Sequence, residues 1–257
     1  MKSIRQTIIE KGNSVLNVYF TAGHPTLDSV VPIIEALEKA GVDLIELGMP
    51  YSDPLADGPT IQQSSEKALA NGQTIKNLFS QVSQVRKTAK IPIIIMGYYN
   101  QMLQYGVDKF VIDAHESGVQ GLIIPDLPMD IYSRDYLQLF EKYKMEICFL
   151  VTPMTSPERV RQADQLSSGF LYIVSQSSIT GKKGGITEDQ KKYFTTIKTM
   201  GLQSPTLIGF GIHDKATRDI ANQYSHGAIV GSAFIRALDI AVDIPDAVTR
   251  FIAGLNE

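Results

Sequence analysis

Ile91-Pro92-Ile93-Ile94-Ile95-Met96 is apolar at every position. A strand with one wet face alternates apolar and polar residues. A run without alternation suits a strand covered on both faces, the pattern of parallel sheets. The third strand is read here as Ile91–Tyr98, and similar runs rich in β-branched residues lie on either side of it. They are Val15–Thr21, Asp43–Gly48, Gly121–Pro125, Glu146–Val151, Phe170–Ser175, Thr206–Gly209 and Ala228–Gly231.

The segments between them carry helical periodicity. Val30, Ile33, Ile34 and Leu37 make an apolar stripe at i, i+3, i+4, i+7, with Glu35, Glu38 and Lys39 off it. Phe110, Val111 and Ala114 repeat the pattern in a helix predicted to end near Gly118. Thr155-Ser156-Pro157-Glu158 supplies a helix start, with proline in the first turn where its missing N–H costs little. Gly41, Gly118 and Gly201 fall where C-terminal glycines belong. Strand then helix, repeated eight times without a Pro/Gly/Ser-rich linker, predicts a closed (β/α)8 barrel, the TIM-barrel architecture, as a single domain over residues 1–257. An open doubly wound sheet shares the alternation and stays as the rival. The spacing from the second strand to the third is about 50 residues, longer than any other, and the surplus falls directly after the second strand.

Composition narrows the function classes. The chain has 257 residues, 44% hydrophobic and 20% charged, with 24 basic against 27 acidic side chains. A formal net charge of -3 gives no electrostatic reason to expect nucleic acid or an anionic membrane as partner. The lone cysteine, Cys148, excludes an intrachain disulfide and a cysteine-cluster metal site, and its apolar setting points to a buried, inert thiol. No apolar stretch approaches the roughly 18 residues of a bilayer span, and the N-terminus lacks the core of a secretory signal. The expectation is a soluble, cytoplasmic globular protein.

In such barrels the strand C-termini carry the site. The last two strands run into Gly209-Phe210-Gly211-Ile212 and Gly231-Ser232-Ala233-Phe234, the second opening a helix. Glycines and a fresh helix N-terminus let backbone N–H groups approach an anion, which predicts a phosphate-bearing ligand. Neither turn reads G-x-G-x-x-G, so this is not the dinucleotide fingerprint, and plain tight turns are the simpler alternative. In the second strand, alternation puts Leu44, Glu46 and Gly48 on one face and Ile45 and Leu47 on the other. If the latter pair meets the helices, Glu46 projects into the barrel mouth, where desolvation raises its pKa toward that of a general acid or base. A structural glutamate paired with backbone or lysine is the alternative. The next loop, Met49–Pro59, is stiffened by three prolines and carries Asp53 and Asp57. None of the four histidines shows ligand spacing, so no metal is expected. The small residues of Ser175–Gly185 read as a lid or as a long surface loop.

These motifs together resemble the tryptophan synthase alpha chain family. The resemblance is carried by Tyr19-Phe20-Thr21-Ala22-Gly23, Glu46-Leu47-Gly48, the run from Pro50-Tyr51-Ser52-Asp53-Pro54 to Gln62, Pro125-Asp126-Leu127-Pro128, Gly209-Phe210-Gly211-Ile212 and Gly227–Ala233. They occur in order over nearly the whole chain.

The resemblance implies a lyase that splits indole-3-glycerol phosphate into indole and glyceraldehyde 3-phosphate by retro-aldol cleavage. It implies Glu46 as the catalytic carboxyl, Asp57 as acceptor of the indole N–H, and Tyr19 and Tyr172 as aromatic neighbours of the ring. Thr180 and Gly181 match the lid threonine and a phosphate-side glycine; Gly211, Gly231 and Ser232 match phosphate-cradle positions. The implied partner is a tryptophan synthase beta chain in an α2β2 heterotetramer, with pyridoxal phosphate on that chain and no cofactor on this one. The stiff loop after the second strand and Pro125–Pro128 are the expected contacts, unless they only scaffold the site. Gln176 and Ser178 stand where the family's lid carries arginine and glycine, and one amide does not replace a guanidinium's fork of donors. A stand-alone lyase and a non-catalytic barrel that only activates a beta chain are the alternatives.

Overall fold

Every strand pairing in the chain is parallel, as unalternated apolar runs require. The computed structural model describes residues 2–54, 57–175, 186–209 and 211–257. Its strands are β1 (Val15–Thr21), β2 (Leu44–Gly48), β3 (Ile93–Met96), β4 (Gly121–Ile123), β5 (Glu146–Ile147), β6 (Leu150–Val151), β7 (Leu171–Val174), β8 (Thr206–Gly209) and β9 (Gly227–Val230). They are hydrogen-bonded in the order β5-β4-β3-β2-β1-β9-β8-β7-β6. The two ends of that series belong to one stretch of chain, so the sheet closes into a barrel.

Closure explains the main departure from expectation. Glu146–Val151 is not one continuous strand: β5 pairs with β4, β6 with β7, and Cys148 and Phe149 turn between them. Cys148 N–H still donates to Leu122 O at 3.1 Å, while Phe149 O accepts from Tyr172 N–H at 2.9 Å. Phe149 N–H is taken by the Ser167 hydroxyl at 3.1 Å, so a side chain replaces a ladder partner at the bend. Most other strands are shorter than predicted. Pro92 offers β2 only its carbonyl, bonded by Ile45 N–H at 3.0 Å, and β3 starts after it. The last strand ends at Val230, because Gly231 caps the next helix.

Two apolar layers sit on the two faces of the sheet. Ile45 and Leu47 join Val18, Phe20 and the helix residues Ile33, Ile34 and Leu37 outside the barrel. Leu44, Ile94, Ile123, Cys148, Phe170, Tyr172, Leu207 and Ile229 fill the inside. The first helix, Ile4–Lys11, seals the N-terminal end: Ile4 and Ile8 pack into the inner layer. Glu146 accepts the backbone N–H of Ile4 at 2.5 Å and of Arg5 at 3.2 Å, satisfying donors that a helix start leaves free. The bottom is thus closed by packing, which leaves the strand C-termini for chemistry.

The predicted helix stripe at Val30–Lys39 is buried as drawn, and Val107–Ser117 ends at Gly118 with φ of 95°, a left-handed turn glycine adopts freely. Ser156 caps Pro157–Leu166 by accepting from Arg159 N–H. The long second connection is explained by an added helix, Pro59–Ala70, ahead of Ile75–Val85.

Candidate active site

Glu46 lies on the inner face of β2 and is fully buried. Its Oε1 accepts from Asn17 Nδ2 at 2.5 Å, across the β1–β2 pair, and its Oε2 has no hydrogen-bond partner among the described residues. The structural alternative, a glutamate neutralised by lysine or tied to backbone, is not what the barrel holds. Burial disfavours the carboxylate and pushes the Glu46 pKa up to about 8; the Asn17 N–H opposes this without cancelling it.

Asp57 is held at the mouth, just ahead of the added helix. Its N–H donates to Pro54 O at 3.1 Å, and its own carbonyl accepts from Gln62 Nε2 at 3.0 Å. Asp57 Oδ2 accepts the Tyr98 hydroxyl at 2.9 Å. Burial raises the Asp57 pKa to about 6, with the Tyr98 bond pulling the other way. The two aspartates of this loop therefore part company, since Asp53 is exposed and, among the described residues, bonded only to its neighbour Ser52.

Two tyrosines complete the mouth, and each stands where a glycine makes room. A Cβ on Gly48 would lie 2.2 Å from the Tyr19 hydroxyl, and one on Gly209 would lie 2.2 Å from the Tyr172 hydroxyl. Gly209 thus makes room for the Tyr172 phenol. Burial pushes the pKa of both phenols well above the usual tyrosine value, and the charges of Glu46 and Asp57 add to it. All four groups therefore face one space. Beside it runs a narrow cleft lined by Tyr19, Met49, Asp57, Met96, Gly97, Tyr98 and Pro125.

The phosphate-side expectations are placed in part. Gly231 caps the helix Ser232–Asp239 without any side-chain partner for the first-turn N–H groups, and the ideal Cβ position at Gly231 is 3.4 Å from the Tyr19 ring. Gly211 is exposed with φ of +79°, the left-handed region. The helix start at Gly231 thus lies beside Tyr19, the residue paired in register with Glu46, and a helix N-terminus is able to hold an anion. Thr180, Gly181, Gln176, Ser178 and the rest of 176–185 lie outside the described residues, as do Leu55, Ala56 and Phe210. Among the described residues no three His, Cys, Asp or Glu side chains gather as a metal cage.

Sequence reasoning missed Asn17 and Tyr98. Asn17 is the polar residue between Leu16 and Val18 in an otherwise apolar strand, on the Glu46 face, and that position was the available signal. Tyr98 follows Gly97 at the end of β3, with nothing in its own stretch to announce a partner some 40 residues earlier. The rim is also knitted together more closely than spacing implied. Gln101 Nε2 donates to Pro50 O at 3.0 Å, Asn100 Nδ2 to the Tyr51 hydroxyl at 3.0 Å, and Tyr99 N–H to Asp126 at 2.8 Å.

The sequence model of the tryptophan synthase alpha chain family matches residues 6–254. A tryptophan synthase alpha chain from Flavobacterium psychrophilum is 52% identical over 238 residues, covering 93% of this chain and 94% of the relative. The solved tryptophan synthase subunit alpha of Legionella pneumophila superposes with a TM-score of 0.88 at 32% identity, covering 99% of this chain and 97% of that one. A chain of a tryptophan synthase complex from Pyrococcus furiosus superposes with a TM-score of 0.86 at 29% identity, over 95% of this chain and 98% of its own. Sequence, barrel and mouth lead to one conclusion: the chain belongs to the tryptophan synthase alpha chain family.

Proposed function

We propose that Glu46 and Asp57 carry the reaction of this family, the cleavage of indole-3-glycerol phosphate to indole and glyceraldehyde 3-phosphate. The chain is a carbon–carbon lyase of tryptophan biosynthesis, the alpha subunit of tryptophan synthase. The observation that supports the residue roles is the separation of two carboxyl groups at one mouth: Glu46 is neutral below about 8 and Asp57 ionised above about 6.

Indole leaves poorly as a carbanion. Transfer of the Glu46 proton to ring C3 makes a new C–H bond and draws the C2–C3 pair, leaving an indoleninium whose charge sits largely on nitrogen. Asp57, ionised, accepts the ring N–H and stabilises that charge as it develops. Glu46, now a carboxylate, takes the proton of the adjacent side-chain hydroxyl. The C–C bond breaks, its electron pair restores the aromatic ring, and the hydroxyl carbon becomes the aldehyde of glyceraldehyde 3-phosphate. Both carboxyl groups end as they began. Tyr19 and Tyr172 flank the ring, and Gly211, Gly231 and Ser232 with Thr180 and Gly181 hold the phosphate. The substrate is thereby fixed at both ends, which turns proximity into rate.

The partner is a tryptophan synthase beta chain in an α2β2 assembly that receives the indole, and the pyridoxal phosphate chemistry is that chain's. The rim formed by the Asp53 loop, Tyr99–Tyr105 and Asp126–Pro128 is the proposed contact surface. Indole release, measured with and without a compatible beta chain, tests the reading. Strong stimulation by the beta chain is expected. High activity alone identifies a stand-alone lyase, and no indole in either case a barrel kept only to activate its partner.

A further inference from the structure

Asn17 and Glu46 are each fully buried, and each carries one oxygen without a hydrogen-bond partner among the described residues, Asn17 Oδ1 and Glu46 Oε2. A wholly apolar residue at position 17 would fill the same inner layer with no orphaned acceptor, so the amide has a cost that packing does not explain. What it gains is a single contact, Nδ2–H to Glu46 Oε1 at 2.5 Å. A neutral carboxyl has one carbonyl oxygen, which accepts, and one hydroxyl, which donates. An N–H pointed at Oε1 makes Oε1 the carbonyl and leaves the proton on Oε2.

We propose that Asn17 is a positioning residue that assigns the two oxygens of Glu46, holding Oε1 as acceptor so that Oε2 carries the proton delivered to the substrate ring. This rests on the reading of Glu46 as the acid. The arrangement also fixes the carboxyl plane, because a group pinned at one oxygen turns only about that bond. The other groups that bear on Glu46 are Tyr19 from β1, Tyr172 from β7 and Cys148 from the bend between β5 and β6, while Asp57 from the loop after β2 acts on the same two tyrosines. The phenols and the thiol, all with raised pKa values, stay neutral near pH 7, so Asp57 is the charged neighbour.

Asn17→Leu, which keeps the volume, and Asn17→Asp, which keeps the shape but replaces the N–H by an acceptor, test the assignment on the full chain with its beta chain. In both, kcat falls on the order of tenfold or more while KM stays within about twofold. The basic limb of the kcat–pH profile moves upward, because the N–H that favours the Glu46 carboxylate is gone. A second readout needs no turnover. The infrared carbonyl band of protonated Glu46, identified as the band missing from Glu46→Gln, moves to higher frequency in Asn17→Leu. A purely structural Asn17 moves neither limb nor band. An unshifted band, or kcat unchanged or raised in Asn17→Leu, overturns the assignment, the raised value by showing that the amide had been holding the proton back. Turnover surviving in Glu46→Gln overturns the acid reading and this one with it; an inactive Glu46→Gln beside an unshifted Asn17→Leu overturns this one alone.

Discussion

The Tyr98 hydroxyl donates to Asp57 Oδ2 at 2.9 Å, so the end of β3 reaches across to the loop that follows β2 and sets the charge of its aspartate. Burial alone favours the neutral acid here, and the phenol is the group that opposes it. In Tyr98→Phe the Asp57 pKa rises further above about 6, and less of the enzyme carries the ionised form. Activity is then lost mainly on the acid side, by up to about tenfold near the old limb if the shift is one unit. A pH profile of kcat/KM for this variant checks it. A uniform loss at every pH would instead mark Tyr98 as a packing residue.

The unmodified enzyme has a window set by two opposite requirements. On the proposed roles Asp57 acts ionised, which fails as pH falls through about 6, and Glu46 acts protonated, which fails as pH rises through about 8. The expected kcat/KM profile is bell-shaped between those limbs, which belong to the free enzyme and to the pair of carboxyls together. Asp57→Asn should remove the acid limb and lower kcat on the order of 100-fold or more, with less effect on phosphate affinity. Equal losses in kcat and substrate affinity would count against a role confined to the transition state.

Glu46→Gln should abolish indole formation and leave folding and beta-chain binding intact. It also has a signature in stability. The folded-state pKa of Glu46 is about 8 against 4.5 in a free side chain, so between those values the folded protein holds a proton that the unfolded chain has released. Wild-type stability therefore falls as pH rises across that interval, and glutamine, which does not titrate, escapes the loss. Urea unfolding midpoints for the two proteins should diverge from about pH 5 toward about pH 8.5, with the variant ahead at the upper end. Parallel curves would mean that Glu46 does not hold its proton in the native state.

Much of this was legible in the chain because periodicity reports burial directly. Val15–Thr21 and Thr206–Gly209 appear with the bounds their composition suggested, and the alternation of Leu44, Ile45, Glu46 and Leu47 placed the glutamate on the inner face correctly. Apolar content could not reveal that Glu146–Val151 is shared between two neighbours, since at the bend the Ile147 and Phe149 N–H groups donate to the hydroxyls of Ser168 and Ser167, some 20 residues later. The partners of the carboxyls were hidden for the same reason. Asn17 and Tyr98 act on residues 29 and 41 positions away, and the pairing of neighbouring strands brings them there. The packing role of Gly209 was not legible, because glycine has the same appearance whether it frees the backbone or makes way for a side chain.

That second use of glycine gives the last prediction. At Gly48 a methyl group would sit 2.2 Å from the Tyr19 hydroxyl oxygen, 2.6 Å from Cζ and 2.9 Å from Cε2. Carbon atoms in contact stand roughly 3.5–4.0 Å apart, so the phenol ring must swing away. Because Gly48 is buried at the end of β2, two residues beyond Glu46, and Tyr19 is paired in register with Glu46, the ring has little space to yield without disturbing the catalytic carboxyl. Gly48→Ala should cost about 1–3 kcal/mol of stability by overpacking, and should raise KM through displacement of a ring that lines the indole site. Tyr19→Leu in the same chain removes the obstacle, so the double variant should regain stability lost by Gly48→Ala while remaining poor in indole binding. A double-mutant cycle measures this: strong favourable coupling in unfolding free energy is the expected result, and simple additivity would show that the two side chains do not compete for the same space.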